Sequence, residues 1–300
     1  MIKIITDTAS DYGLENAKKD NIAIVPMHIT FDDIEYLDGY ELGGKEFFEK
    51  LIESSILPKT AQITPGEFEK EFKKYPSDQI ICITLSKKLS GTYQSACIAA
   101  KMFDNVTVID SENVTVGEKI LIKLALKLIN EGLSFEKIVN KLNECKKNIR
   151  LVALLDTLEY LKKGGRIGAI TATIGGILNI KPVVEIRSGE VKLIGKARGS
   201  KMGNNKLREK IKEYGGIDYS NPYAVAYSGL SDSLLRKYVE DSSDICPDGE
   251  KLEFTLIGST IGTHVGPGAI AVVLFLKNKS IARLRTKLGL NIFLYFVIID

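Results

Sequence analysis

In the first half of this 300-residue chain, short apolar runs rich in β-branched residues alternate with runs of helical periodicity. Residues 2–6 (IKIIT), 79–85 (QIICITL) and 106–109 (VTVI) have strand length and strand composition. Helical patterns follow at 90–103, at 114–131 with Ile120, Leu121, Leu124 and Leu128 on one face, and at 134–147. Two more helices are predicted upstream. One spans 44–54 with Phe47, Phe48, Leu51 and Ile52 on a stripe. The other starts at Pro65, with Thr64 as its cap and Glu67 three residues after it. Asp11 is expected to cap a helix running to Asp20, and 22–31 reads as an extended run broken by Pro26. Residues 60–65 read as a loop. Strands that alternate with helices need crossover connections, so they predict a parallel sheet covered on both faces.

The second half has a different rhythm. Strands are expected at 150–155, 222–228, 252–257 and 269–276, and a hairpin pairs 181–186 with 191–196 around 187–190. A short helix at 157–163 ends at Gly164-Gly165; others are expected at 170–178, 200–214 and 231–240. The predicted fold is therefore α/β in two domains. An N-terminal parallel-sheet domain spans 1–149 and a C-terminal α/β domain with a mixed sheet spans 150–277. A tail, 278–300, has no assigned role; it carries Arg283, Arg285 and Lys287 ahead of an apolar stretch. Such a tail either packs as a terminal element or touches a membrane surface.

Net charge is +3, with basic and acidic residues interleaved, which argues against nucleic acid. The four cysteines, Cys82, Cys97, Cys145 and Cys246, form no CxxC pair and suit unpaired thiols in a reducing compartment. No signal-peptide pattern opens the sequence and no apolar run approaches the ~20 residues that span a bilayer, so a cytoplasmic location is expected.

Two glycine-containing segments carry the chemistry: 84–96 (TLSKKLSGTYQSA) and 258–269 (GSTIGTHVGPGA). The first runs from a buried strand into a helix opened by Ser90-Gly91-Thr92, which places hydroxyls beside free backbone N–H groups. Thr60 lies in a comparable position in KTAQITPGEF. If the strands before these segments are neighbours, Thr60 and Ser90 meet at the carboxyl edge of the sheet and can donate to one carboxylate. Taken singly, each is equally readable as a cap or turn bond. His264 is readable as a buried structural imidazole, Arg166 as a surface ion pair, and the basic stretch 196–212 as a solvated helix face. The competing enzymatic reading is a serine hydrolase or transferase, with Ser90 as nucleophile, His264 as base and Asp7 or Asp110 as orienting acid. No G-x-S-x-G elbow supports it. Nucleotide-binding glycine motifs are absent, and the two histidines have no metal-ligand spacing.

Several ordered strings resemble the DegV family, whose bacterial members include the fatty-acid-binding subunit of fatty acid kinase. They are TDTASD at 6–11, KTAQITPGEF at 59–68, LSKKLSGTYQSA at 85–96, DS at 110–111, LEYLKKGGRIG at 158–168, NIKPVVEIRSGEV at 179–191 and IGTHVGPGA at 261–269. The resemblance runs to about Lys277. It implies a lipid tunnel between two α/β domains, with no catalytic residue, metal or cofactor. The ligand would be a long-chain fatty acid held at its carboxylate by Thr60 and Ser90, with Thr92 and His264 close by. Arg166 would lie at the tunnel mouth, where the catalytic subunit of the kinase docks. The implied function is to present the carboxyl group for phosphorylation and carry the acyl phosphate toward phospholipid synthesis. An acyltransferase and transient membrane contact are further expected partners. The chain departs from the family's T-S-Q-P-S loop at Ala61 and Ile63, losing a hydroxyl and a proline.

Overall fold

The computed structural model describes residues 1–168, 180–246 and 252–276. The helix expected at 170–178 and the tail at 278–300 lie outside them. In chain order the first half runs β1 (Ile2–Asp7), α1 (Leu14–Lys19), β2 (Ile22–Val25), β3 (His28–Phe31), β4 (Ile34–Leu37), α2 (Gly44–Glu53), β5 (Lys59–Ala61) and α3 (Pro65–Phe72). It continues through β6 (Gln79–Thr84), α4 (Thr92–Ala100), β7 (Val106–Asp110), α5 (Val116–Asn130) and α6 (Phe135–Cys145). The second half contains β8 (Ile149–Leu154), α7 (Glu159–Lys163), β9 (Ile180–Arg187), β10 (Glu190–Arg198), α8 (Gly199–Glu213), β11 (Ala224–Tyr227), α9 (Ser233–Asp241), β12 (Phe254–Leu256), α10 (Ser259–Val265) and β13 (Ile270–Phe275).

The fold is mixed α/β. The apolar runs of the first half form a four-stranded sheet in the order β2-β1-β6-β7, parallel throughout. Ile4, Ile5, Ile80, Ile81 and Ile83 are fully buried in it, as strands covered on both faces require. The Thr64–Glu67 capping box starts α3 as its sequence predicts: Glu67 Oε2 accepts from the Thr64 N–H at 2.7 Å.

The run 22–31 breaks at Pro26 as expected: Pro26 ends β2 and lets β3 turn into a different sheet. Two other expectations need correction. That second sheet, β4-β3-β5, is small and antiparallel, and its strand β5 takes in Thr60, so 60–65 is not wholly a loop. Asp11 does not cap α1: it sits in the left-handed region (φ 48°), α1 begins after Gly13, and the Asp11 carboxylate is spent elsewhere.

The six-stranded sheet, β10-β9-β8-β13-β11-β12, is antiparallel except for β11-β12. Period-2 alternation gives it two distinct faces. Val152, Leu154, Val183, Val272 and Leu274 pack against Leu207 and Ile211 of α8 and Leu235 and Tyr238 of α9. Leu151, Ala153, Val184, Ile186 and Ala271 turn the other way, into the core shared with the parallel sheet. Helix α5 lies in that shared layer, touching β6 on one side and β8, β11 and β13 on the other. This sandwiching explains why even Glu118 and Lys119 of α5 are buried. The basic helix α8 buries only the stripe Gly203, Asn204, Leu207 and Ile211.

The segment around His264 forms the short helix α10, which packs on α2. A Cβ built on Gly262 would fall 2.7 Å from Phe47 and 3.0 Å from Phe48. Both rings are fully buried and stacked edge to face, so neither can yield cheaply. Gly262→Ala should therefore cost about 1–3 kcal/mol. Urea unfolding checks this, and a variant as stable as the parent would refute the contact.

Candidate functional site

The site is assembled around α10, and its start is fixed by two buried acids from distant parts of the chain. Asp11 Oδ1 accepts from the Gly258 N–H at 2.9 Å, and its Oδ2 accepts from Thr115 Oγ1 at 2.5 Å. Asp38 accepts from the N–H groups of Ser259 (3.2 Å) and Thr260 (3.3 Å) and from Thr260 Oγ1 (2.6 Å). Between them they satisfy donors that a helix start leaves without partners. The far end of α10 then places His264 against β5, with its Nε2 2.9 Å from Thr60 Oγ1. The imidazole lies over Gly164, where a Cβ would come within 2.2 Å of Nδ1. Nδ1 itself has no hydrogen-bond partner.

Ser90 is positioned from the parallel sheet. Asp7 Oδ2 accepts from the Leu85 N–H at 2.9 Å, tying the segment after β6 to the end of β1. Ser90 Oγ accepts from the Thr92 N–H (3.2 Å) and lies 2.9 Å from Thr92 Oγ1. Ser90 thus makes the local turn bond that its sequence allows and also lines the cavity described below. Thr92 does not line it; fully buried, it holds the Ser90 hydroxyl from behind. Arg166 is not a surface ion pair. Its Nε donates to the Leu89 carbonyl (3.2 Å) and its Nη1 to the Gly164 carbonyl (2.7 Å), joining the end of α7 to the Ser90 segment.

Thr60, Ser90, Arg166 and His264 line one cavity of about 370 Å³, within the roughly 300–1,000 Å³ of small-molecule sites. Its polar end, with Thr60, Gln62, Ser90, Arg166 and His264, is half-buried or exposed. The remaining wall is mostly buried and apolar: Leu151, Ala153 and Leu155 from the β8 strand and the residue after it, Val184 and Ile186 from β9, Ala269 and Ala271 at β13, and Ile257 and Ile261 beside or on α10. Ala153 and Ala271 are register partners on neighbouring strands, so the wall is hollowed where two small side chains face each other.

Burial dominates the electrostatics. It holds His264 down to about 4, helped by the nearby Arg166 charge, so the imidazole is neutral near pH 7. Burial raises Asp7 and Asp11 to about 7 and also raises Asp38. The hydrolase relay is not assembled. His264 bonds Thr60, Ser90 bonds Thr92, Asp7 is committed to the backbone of Ala9 and Leu85, and Asp110 accepts from the backbone of Lys87 and Glu112. Among the described residues, no group of His, Cys, Asp and Glu could hold a metal ion.

Sequence reasoning missed Asp38, whose helix partner lies more than 200 positions away, and Gln62, which sits between the two departures from the family pattern. Ile63 is fully buried, so the chain replaces the restraint of a proline with an apolar anchor.

Residues 1–277 match the family described as "Uncharacterised protein, DegV family". The chain belongs to the DegV family. A DegV domain-containing protein of Caldanaerobacter subterraneus subsp. tengcongensis is 36% identical over 280 residues, covering 90% of this chain and 97% of the relative. A DegV family protein from Thermus thermophilus, described by its fatty acid binding, superposes with a TM-score of 0.82 at 27% identity, over 92% of this chain and 99% of that one. A stearic acid-binding protein from Eubacterium ventriosum superposes with a TM-score of 0.82 at 26% identity, over 93% and 100%.

The raised Asp11 pKa has a measurable consequence for this DegV protein. An unfolded aspartate loses its proton near pH 4, at about 3.9, whereas the folded one keeps it to about 7. Between those values the native state holds the extra proton, so this group's contribution to stability falls as pH rises. Asp11→Asn keeps an acceptor for Gly258 and carries no charge. It should gain stability relative to the parent between pH 5 and pH 8 in urea unfolding. A pH-independent difference would refute the raised value.

Proposed function

We propose that this protein is a non-enzymatic carrier that binds one long-chain fatty acid, with the acyl chain in the apolar cavity and the carboxylate at Thr60 and Ser90. The observation that carries this reading is the polarity gradient of this cavity: hydroxyls, an amide and a guanidinium at the accessible end, aliphatic walls behind. Each buried CH₂ contributes about 0.8 kcal/mol, so the chain supplies most of the affinity and the polar end supplies orientation. A carboxylate drawn into such a place needs donors or it takes up a proton. Thr60, Ser90 and Arg166 are the donors at hand. The related structures support the ligand class, because those proteins are described as binding fatty acids.

In the fuller form of this proposal, 1–149 and 150–277 act as two domains closing on the lipid. A separate ATP-dependent kinase docks at the mouth near Arg166 and transfers the γ-phosphoryl group to the carboxylate, giving acyl phosphate and ADP. The carrier then delivers the acyl phosphate, in the cytoplasm and with transient membrane contact, to an acyltransferase of phospholipid synthesis. Among the described residues no helix is long and apolar enough to cross a membrane.

Mass spectrometry of an organic extract of the purified protein should find a long-chain fatty acid at near one equivalent; an empty or unrelated extract would count against the carrier. Thr60→Ala with Ser90→Ala should weaken retention of a fluorescent fatty acid by tenfold or more, since hydrogen bonds to a charged group are worth about 1.5–3 kcal/mol. Ala271→Phe should exclude long chains by filling the hollow between β8 and β13. Unchanged affinity in both would place the ligand elsewhere. Arg166→Ala should slow phosphorylation by the partner kinase more than it weakens lipid retention, and equal effects on both would remove its docking role.

A further inference from the structure

Strand β5 and the segment ahead of α4 bring Thr60 and Ser90 together from separate sheets, and one side chain, from the residue after β5, crosses between them. Gln62 Nε2 donates to Ser95 Oγ at 3.1 Å, one turn into α4 from Ser90. Its Oε1 lies so close over Gly91 that a Cβ there would fall 1.9 Å away, and the amide carbon would be 2.7 Å away. Gln62 is exposed and lines the polar end of the cavity, whereas Ser95 is buried. The residue after it, Ile63, is fully buried and fixes the backbone from which Gln62 reaches out.

We propose that Gln62 is a positioning residue of the head-group site: its amide is a crossbar that fixes the Thr60–Ser90 spacing, and Gly91 is glycine because the crossbar lies on it. This rests on the carboxylate-binding reading above. A carboxylate has two acceptor oxygens and uses both hydroxyls at once, so it is sensitive to their separation. A fatty alcohol has a single hydroxyl and can settle for either partner. The crossbar therefore confers selectivity for acid over alcohol, not affinity for the chain. It also explains why the start of α4 carries no side-chain cap at Gly91. A capping side chain there would occupy the space of the amide.

The test measures palmitate and hexadecanol binding to the full-length protein and to Gln62→Ala, Gly91→Ala and the double variant. Gln62→Ala should weaken palmitate about tenfold, the loss expected for disturbing a charge-assisted hydrogen bond, and leave hexadecanol within about twofold. Gly91→Ala should reproduce that pattern by pushing the amide aside. In the double variant the new methyl meets no amide, so the two losses should not add. Equal losses for acid and alcohol, or additive losses in the double variant, would overturn the crossbar. Thermal unfolding of each variant separates this from misfolding, and Gln62, being exposed, opens no core when truncated. If the parent binds palmitate and Gln62→Ala binds it equally, the crossbar alone fails. If the parent itself retains no palmitate, the carboxylate reading fails and takes the crossbar with it.

Discussion

Two buried carboxyl groups on the start of one short helix hold the site together. Helix α10 has seven residues, too few to be stable by itself, and it carries His264 at its far end. Asp11 reaches it from the loop after β1, and Asp38 from the segment joining the small sheet to α2. Together with the packing of Gly262 on Phe47 and Phe48, these contacts set the position from which His264 reaches Thr60. The same acids are costly. They are fully buried near one another, so each resists ionisation, and the protein tolerates this because the helix donors need acceptors. The TDTASD string is thus a structural motif. Asp7, at the end of β1, holds the Ser90 segment, and Asp11, four residues on in the following loop, holds the His264 segment.

The cavity follows from how the two sheets share a helix. With α5 packed against both, the sheets cannot collapse onto each other over its length. Beyond it, the inward face of the six-stranded sheet presents Ala153, Ala269 and Ala271, where larger residues would fill the gap. Interiors otherwise pack to crystal-like density, so an apolar hollow of this size is a feature that the alanines maintain against closure.

Much of this was legible in the sequence, and the reason differs by level. The strand–helix alternation exposed the parallel sheet because buried strands leave continuous apolar runs. The hairpin at 187–190 and the capping box at Thr64 are local signals and were read correctly. The small sheet was hidden: β4 is four residues long with no buried position, and β5 is three residues long, so neither carries periodicity. Asp11 misled because an aspartate before a helical pattern reads as a cap, while its real partner, Gly258, is a tertiary neighbour. Loop chemistry and family strings pointed to Thr60, Ser90, His264 and Arg166, and all four line the cavity. Thr92 was expected beside them but lies behind Ser90, because spacing cannot separate a hydroxyl that faces a cavity from one that supports its neighbour.

The state of His264 follows from the ligand it would serve. A carboxylate only accepts hydrogen bonds, so Thr60 can hold it only by donating its own proton. The Thr60 oxygen must then accept from His264, which places the ring proton on Nε2. That leaves Nδ1 bare, facing Gly164 with no partner. A buried donor without an acceptor is penalised, as is a buried charge, and the neutral ring with its proton on Nε2 avoids both. On the carboxylate reading, the low His264 pKa and the Thr60 contact are one arrangement: a neutral imidazole that turns a threonine hydroxyl outward as a donor, with Arg166 supplying positive charge at the same end of the cavity.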